Sequence, residues 1–202
     1  EESRDGEAQD DEFGKLEARD YRAIAARLNY LAPDRMHIAF AVKEAARNMS
    51  KPLRRDFEKL KRIGRYLLGR PRLVSMFKWS SSIDSITAFT DSDWAGCKTT
   101  CKSTSGGIVA NGSHVLKSYS KQQRTVALSS AEAELHALVA ASAEILGVIG
   151  LLRDMGCETS GEVYCDASAA IGIAQRQGAG KLRHVRTQAL WVQEVRAENR
   201  LS

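Results

Sequence analysis

The spacing of apolar residues divides the chain into a helical first part and a second part in which strands and helices alternate. Between 13 and 79, apolar positions recur every three or four residues, which is the period of one face of an α-helix. This spacing predicts three helices, over 21–31, 38–49 and 51–69. Asp20 and Ser50 are the candidate N-caps of the first and third helices.

After Trp79, short apolar runs separated by turn residues replace the helical period and indicate strands. The predicted order is strands 86–90, 106–110 and 115–119, helix 130–154, strand 162–165, helix 167–175, strand 183–186 and helix 188–199. Asn111-Gly112 joins the second and third strands, because this dipeptide is typical of a two-residue hairpin turn. Strands that run together and then alternate with helices predict an α/β fold with a mixed sheet and flanking helices.

The net charge of +5 is unevenly distributed along the chain. Residues 1–20 hold nine acids and three bases, so the remainder carries +11 and favours a polyanionic partner, nucleic acid first. The first 12 residues are acidic and offer almost nothing to bury, so we expect them to be disordered. No apolar run approaches the roughly 20 residues of a membrane span, and no membrane partner is expected.

The third predicted helix concentrates basic residues. Between 51 and 72 there are nine bases and two acids. The candidate nucleic-acid-binding residues on its polar faces are Arg54, Arg55, Lys61, Arg62 and Arg65. They form either an ordinary solvated helix surface or a surface that follows a phosphate backbone, where each contact strengthens binding and its salt dependence.

The four cysteines predict no structural zinc site. Cys97 and Cys101 are close in sequence, but no second Cys or His pair stands at the spacing that zinc sites use. Few cysteines in a chain of this size indicate a reduced, intracellular protein.

Carboxylates stand at the ends of two predicted strands. Asp91, in FTDSDWAG, ends the first strand of the second part, and Asp166, in VYCDASAA, ends a later one. Ligands prefer the carboxyl ends of strands in α/β sheets, so these acids are candidate ligands for a hard cation. Asp93 either shares the face of Asp91 in a continued strand or bonds to nearby amides in a turn.

The long helix offers two glutamates with different expected roles. Ser129 and Glu132 have the spacing of a capping box, which gives Glu132 a structural explanation. At roughly 100° per residue, Glu134 lies about 20° from Ala141 and about 200° from Glu132, which places it on the sheet-facing side. A carboxylate on a buried face is costly unless it is paired or binds a metal, so Glu134 calls for a functional explanation.

Several stretches resemble the RNase H domain of copia-type long-terminal-repeat retrotransposon polyproteins. They are, in order, FTDSDWAG, CKSTSGGIV, SYSKQQRTVALSSAEAELHAL and VYCDASAAI. The helical part is similar to the end of the reverse transcriptase and its connection, in LNYLAPDRMHIAFAVKEAARNM and DFEKLKRIGRYLLG. The resemblance covers roughly 13–202. It implies that a reverse transcriptase C-terminal or connection region (13–79) and an RNase H-like domain (80–202) follow the acidic tail (1–12).

The resemblance implies an endonuclease that cleaves RNA in RNA–DNA hybrids with two Mg²⁺ ions, for which Mn²⁺ can substitute. Asp91 would bridge the two ions, and Glu134 and Asp166 would each hold mainly one of them. The implied partners are an RNA–DNA hybrid and the upstream reverse transcriptase portion, and the implied location is cytoplasmic virus-like particles.

The C-terminal part departs from the family pattern. Relatives carry a fourth acid in a stretch such as K-H-I-D, where this chain has His184 and then Arg186 in place of the Asp. A cation there would repel a metal. His184 is either a catalytic residue that helps proton transfer or product release, or a surface His beside Arg183 and Arg186.

Two functional hypotheses therefore remain open at the level of the sequence. The first is a working RNase H module that includes the reverse transcriptase tail. The second is a non-catalytic nucleic-acid-binding or scaffold remnant, which Arg186 favours and the intact Asp91, Glu134 and Asp166 oppose. A DNA transposase-type nuclease is disfavoured by the KSTSG and SSAEAEL stretches.

Overall fold

A computed structural model describes residues 14–79, 85–178 and 186–202. The predicted disordered tail over 1–12 and the candidate His184 lie outside these ranges. The chain divides into two compact units, Glu1–Val74 and Ser75–Ser202. The boundary predicted from sequence, between 79 and 80, stands five residues further along the chain.

The first unit is helical, with α1 (Lys15–Leu31), α2 (Ala39–Ala46) and α3 (Arg54–Gly69). Two short 3-10 turns, Ala32–Asp34 and Met36–Ile38, join α1 to α2. The core of this unit is formed by Tyr21, Ala25, Leu28, Ile38, Val42, Ala45, Leu60 and Ile63. Burial, with the nearby charge of Asp56, raises the pKa of Tyr21 to about 12, so its hydroxyl remains the donor to the Ala45 carbonyl at 2.6 Å.

Both predicted N-caps of this unit are wrong. Helix α1 begins at Lys15 after Gly14, so Asp20 lies inside it. Helix α3 begins after Leu53, not at Ser50, and the Leu53 N–H is satisfied from inside the helix by the Asp56 carboxylate at 3.1 Å. An acid in the first turn can thus replace a capping residue placed before the helix.

The second unit is built on a four-stranded mixed sheet. Its strands are β1 (Ser85–Asp93), β2 (Thr104–Asn111), β3 (His114–Gln122) and β4 (Ser160–Cys165), in the spatial order β3-β2-β1-β4. Strand β1 pairs antiparallel with β2 and parallel with β4. The predicted β2–β3 hairpin is confirmed, but Asn111 still belongs to β2 and pairs with His114, so the loop residues are Gly112 and Ser113 rather than Asn111 and Gly112. Gly112 takes a positive φ of +55°.

The helices of the second unit are α4 (Ser130–Asp154), α5 (Ser168–Gln175) and α6 (Arg186–Ala197). The predicted α/β class with a mixed sheet, flanking helices and a preceding helical region is confirmed. The strand predicted over 183–186 is wrong at Arg186, where α6 begins, and its other residues lie outside the described ranges.

Helix α4 forms the core with the sheet. Its buried Ile145 and Ile149 pack in one cluster with Ile86 and Ala88 of β1 and with Val109 of β2. By length and composition α4 is apolar enough to cross a membrane, which inspection of the sequence missed. That test is weak evidence for a span, because the core helix of a soluble protein also passes it.

Gly107 in β2 sits against the ring of its partner Tyr119 in β3. A Cβ at Gly107 would lie 2.6 Å from Tyr119 Cε1 and closer still to Cζ and Oη. We expect Gly107→Ala to lower the free energy of unfolding by about 1–3 kcal/mol, because the ring has to move out of its place in the sheet. Urea unfolding measures this.

The neighbouring Gly106 provides a matched control. A Cβ there would meet only the Asp91 carbonyl oxygen, at an ordinary 3.9 Å. Gly106→Ala should therefore unfold close to the native protein. An equal loss of stability in both variants would show that the Tyr119 contact is not the cause.

Candidate functional site

Glu134 and Asp166, two of the three predicted metal ligands, lie together in the structure, and Cys165 joins them. One ligand atom from each of the three residues lies within 4.8 Å of the others. Glu134 comes from the first turns of α4, Cys165 is the last residue of β4 and Asp166 follows it. The packing of α4 on the sheet therefore brings the helix carboxylate to the carboxyl end of a strand.

Glu134 faces the sheet, as its helical spacing predicts. Its side chain is buried, with 9% of its surface exposed. The main-chain N–H and the hydroxyl of Ser92 in β1 both donate to Glu134 Oε1, at 3.1 Å and 2.6 Å. The Cys165 thiol lies 3.7 Å from Oε2. The buried charge is thus supported by donors from the strand that carries Asp91.

Asp91 lies near this cluster in the sheet but is not a member of it. The parallel register pairs Thr90 with Cys165, so Asp91 and Asp166 each follow the last paired position at the same end of adjacent strands. Asp91 is exposed, and strand alternation places it on the face opposite Ser92. The structure thus brings two of the three predicted acids together and places the third at the adjacent strand end.

Asp93 lies in a continued strand. It is the last residue of β1 and pairs with Thr104 of β2, so by alternation it shares the exposed face of Asp91. The turn begins after it, where the Gly96 N–H donates to the Asp93 carbonyl at 3.4 Å. Its carboxylate lies over Gly96, where a Cβ would come within 2.8 Å of Oδ1 and closer to Oδ2. Of the two arrangements left open by the sequence, the structure shows the continued strand.

Glu132 has the structural role that its capping-box spacing predicts. The Ser129 hydroxyl accepts from the Glu132 N–H at 3.2 Å, and the Glu132 carboxylate accepts from the Leu128 N–H at 2.9 Å. This carboxylate is nevertheless buried, although it lies away from the sheet-facing side of α4. The nearby His136 Nε2 lies 3.6 Å from Glu132 Oε1.

Cys165 is the member of the cluster that sequence reasoning missed. Burial, together with the negative charges of Glu134 and Asp166, raises the pKa of its thiol above the ordinary value, although a main-chain hydrogen bond to Ala167 opposes the shift. The thiol is therefore protonated at neutral pH and acts as a weak donor to Glu134. The two carboxylates of the cluster offer oxygen ligands, which suit a hard ion such as Mg²⁺.

The five basic candidates of α3 are all exposed, in the first unit. Part of their charge is balanced locally, because Glu58 bonds to Lys61 at 2.6 Å and lies 3.8 Å from Arg65. The structure therefore provides a basic helix surface at Arg54, Arg55, Lys61, Arg62 and Arg65, beside which lie Glu58 of the same helix and Glu17 and Asp20 of α1. At the other end of the chain, α6 begins at Arg186.

No family model matches the chain. The chain is 37% identical over 149 residues to the retrovirus-related Pol polyprotein from transposon RE1 of Arabidopsis thaliana, which is 73% of this chain and 10% of that protein. It is 28% identical over 188 residues to the Pol polyprotein from transposon TNT 1-94 of Nicotiana tabacum, which is 92% of this chain and 14% of that protein.

Among solved structures, LC11-RNase H1 isolated from compost aligns with 58% of this chain and 81% of its own, at a TM-score of 0.40 and 17% identity. The chain spans about a tenth of the length of the first Pol polyprotein it matches. Over that span it is a homologue of these polyproteins, as the resemblance of its motifs predicted. The homologues of this chain are therefore retrovirus-related Pol polyproteins of copia-type transposons, of which it spans a short part.

Proposed function

We propose that this chain is the RNase H part of a Pol polyprotein and hydrolyses the RNA strand of RNA–DNA hybrids. The observation that carries the proposal is the buried Glu134, held by Ser92 of β1 with its carboxylate beside that of Asp166. Asp91 at the adjacent strand end supplies the third carboxylate. Homology to Pol polyproteins supports the same assignment and implies a reverse transcriptase neighbour in the longer protein.

The residues that would hold Mg²⁺ are Asp91, Glu134 and Asp166. A pair of such ions, when bound, supplies activation of the attacking water and neutralisation of the leaving oxygen. The protein orients the Glu134 carboxylate through Ser92. The carboxylate oxygens of these acids are the hard ligands that Mg²⁺ prefers. Mn²⁺ accepts the same oxygen ligands and is expected to substitute.

A second candidate function is supported by Arg186. In this reading the chain is a non-catalytic nucleic-acid-binding or scaffold remnant, because a cation replaces the fourth acid that the family resemblance implies. Both functions include nucleic-acid binding, so binding alone does not separate them. The paired carboxylates of Glu134 and Asp166, with Asp91 at the end of the adjacent strand, favour the enzyme.

The experiment that tests the proposed function is incubation with an end-labelled RNA–DNA hybrid, an RNA duplex and a DNA duplex in Mg²⁺. We expect cleavage of the RNA strand of the hybrid alone, and its loss when EDTA removes the metal. Cleavage that survives EDTA, or equal cleavage of the DNA duplex, would contradict the proposal. If the native protein is inactive and Arg186→Asp cuts the hybrid, the remnant function is correct.

We further propose that the basic surface of α3 binds phosphates of the hybrid. The double variant with Arg54→Ala and Arg62→Ala should weaken binding and flatten the slope of log Kd against log salt by about one for each lost phosphate contact. Fluorescence anisotropy of a labelled hybrid at several salt concentrations measures both effects.

The control for this prediction is Arg27→Ala, which removes an exposed base from α1 in the same unit. It should leave the salt slope close to native. A double variant with the native slope would mean that α3 is an ordinary solvated helix surface.

A further inference from the structure

Ser92 is the residue of β1 that contacts Glu134. Along this strand Ile86, Ala88 and Thr90 are buried, and alternation places the Ser92 side chain on the same face. That face packs against α4, and Asp91 lies on the other one. The Ser92 hydroxyl therefore lies between the sheet and the helix, at the point where Glu134 reaches the strand end.

Both donors of Ser92 bind the same oxygen of Glu134. The N–H and the hydroxyl meet Oε1 at 3.1 Å and 2.6 Å. Oε2 is consequently the oxygen on the side of Cys165, whose Sγ lies 3.7 Å away, in the cluster with Asp166. These hydrogen bonds thus fix the χ3 torsion of Glu134, whose values are otherwise broadly distributed in glutamate side chains.

We propose that Ser92 is a positioning residue, which fixes the Glu134 carboxylate in the orientation that holds a divalent cation together with Asp166. The inference deepens the proposed function and rests on it. Partners that hydrogen-bond a metal ligand typically contribute about 10–100-fold to metal affinity. The hydroxyl is the part of Ser92 that a substitution removes, because the main-chain N–H remains in every variant.

The test is a titration with Mn²⁺ alone, in which the electron paramagnetic resonance signal of the free ion reports how much Mn²⁺ is bound. Ser92→Ala should weaken the Kd for Mn²⁺ by roughly 10–100-fold relative to the native protein. Ser92→Thr, which keeps a hydroxyl at this position, should restore most of the affinity. The matched control is Ser105→Ala, because Ser105 is the cross-strand partner of Ser92 in β2, and its hydroxyl accepts from Gln123 instead of donating to Glu134. It should bind Mn²⁺ like the native protein.

Native affinity in Ser92→Ala would overturn the inference. If this variant does not fold, the decisive comparison is Ser92→Thr against Ser92→Val, which share a β-branched shape and differ in the hydroxyl. Thr should bind Mn²⁺ about tenfold tighter or more, and equal affinities would overturn the inference. Because no substrate is present, a native protein that binds Mn²⁺ but cuts no hybrid refutes the proposed function alone. A native protein that binds no Mn²⁺ refutes both.

Discussion

Glu134→Gln is expected to lower the rate of hybrid cleavage by at least about a thousandfold, which corresponds to several kilocalories per mole of lost metal assistance. The amide keeps an oxygen that can accept from the N–H and hydroxyl of Ser92. It loses the negative charge that a divalent cation requires. Because a neutral amide is less costly to bury than a carboxylate, the melting temperature should not fall. Single-turnover cleavage and thermal unfolding measure the two effects.

The matched control for Glu134→Gln is Glu144→Gln, on the same helix. Glu144 lies away from the cluster and bonds to Lys117 and to Lys121, the latter at 3.0 Å. This variant should cleave at the native rate. Retention of activity in Glu134→Gln, or an equal loss in both variants, would remove Glu134 from the proposed site.

Asp56→Ala is expected to lower the free energy of unfolding of the helical unit by about 2–3 kcal/mol, because hydrogen bonds to a charged acceptor and the cap of α3 are lost together. Asp56 is fully buried and accepts hydrogen bonds from Asn48 at 2.7 Å, Lys59 at 2.9 Å and the Leu53 N–H at 3.1 Å. The substitution leaves these donors without their acceptor and removes the cap of α3. Hydrogen exchange of the amides in α1 to α3 reports on this unit separately.

The same carboxylate predicts an acid dependence of stability. Burial alone would raise the pKa of Asp56, but the hydrogen bonds from Lys59, Leu53 and Asn48 outweigh burial and hold the pKa below its ordinary value. The unfolded state therefore takes up a proton first as the pH falls. The contribution of Asp56 is present above the ordinary Asp range and is lost as the pH drops through the folded pKa.

We expect the native helical unit to lose protection against hydrogen exchange as the pH falls below about 4, and Asp56→Ala to lose less over the same range. The exposed Asp20, which pairs with its exposed neighbour Arg19 at 3.5 Å, gives the control. Asp20→Ala should stay within about 0.5 kcal/mol of native. If Asp56→Ala lowers the free energy of unfolding no more than Asp20→Ala does, the hydrogen bonds of Asp56 do not stabilise the helical unit as proposed.

The sequence was sufficient where local chemistry determines the structure. The turn signal at Asn111-Gly112 identified the β2–β3 hairpin. The helical spacing of apolar residues along the 25-residue α4 placed Glu134 on the sheet-facing side. Asp166 was recognisable because it follows an apolar run. These features depend on residues close together in the chain, so their periodicity or turn chemistry is visible without the fold.

The remaining features depend on contacts between distant residues. The hydrogen bond from Ser92 to Glu134 joins residues 42 positions apart, which meet only when α4 packs on β1. Cys165 joins the cluster for the same reason. The cap of α3 was missed for a different reason. In the sequence Asp56 looks like an acid on the helix surface, and its burial depends on Asn48, which follows α2 and donates to its carboxylate.

Cleavage of a labelled RNA–DNA hybrid in Mg²⁺, by the native protein and by Asp91→Asn, tests directly whether Asp91, Glu134 and Asp166 act together in hydrolysis. Asp91 is the predicted ligand that the structure leaves outside the cluster of Glu134 and Asp166, so its variant tests whether the adjacent strand ends form one site. We expect the native protein to cut the RNA strand and Asp91→Asn to leave it intact. Equal cleavage by both proteins would contradict this expectation.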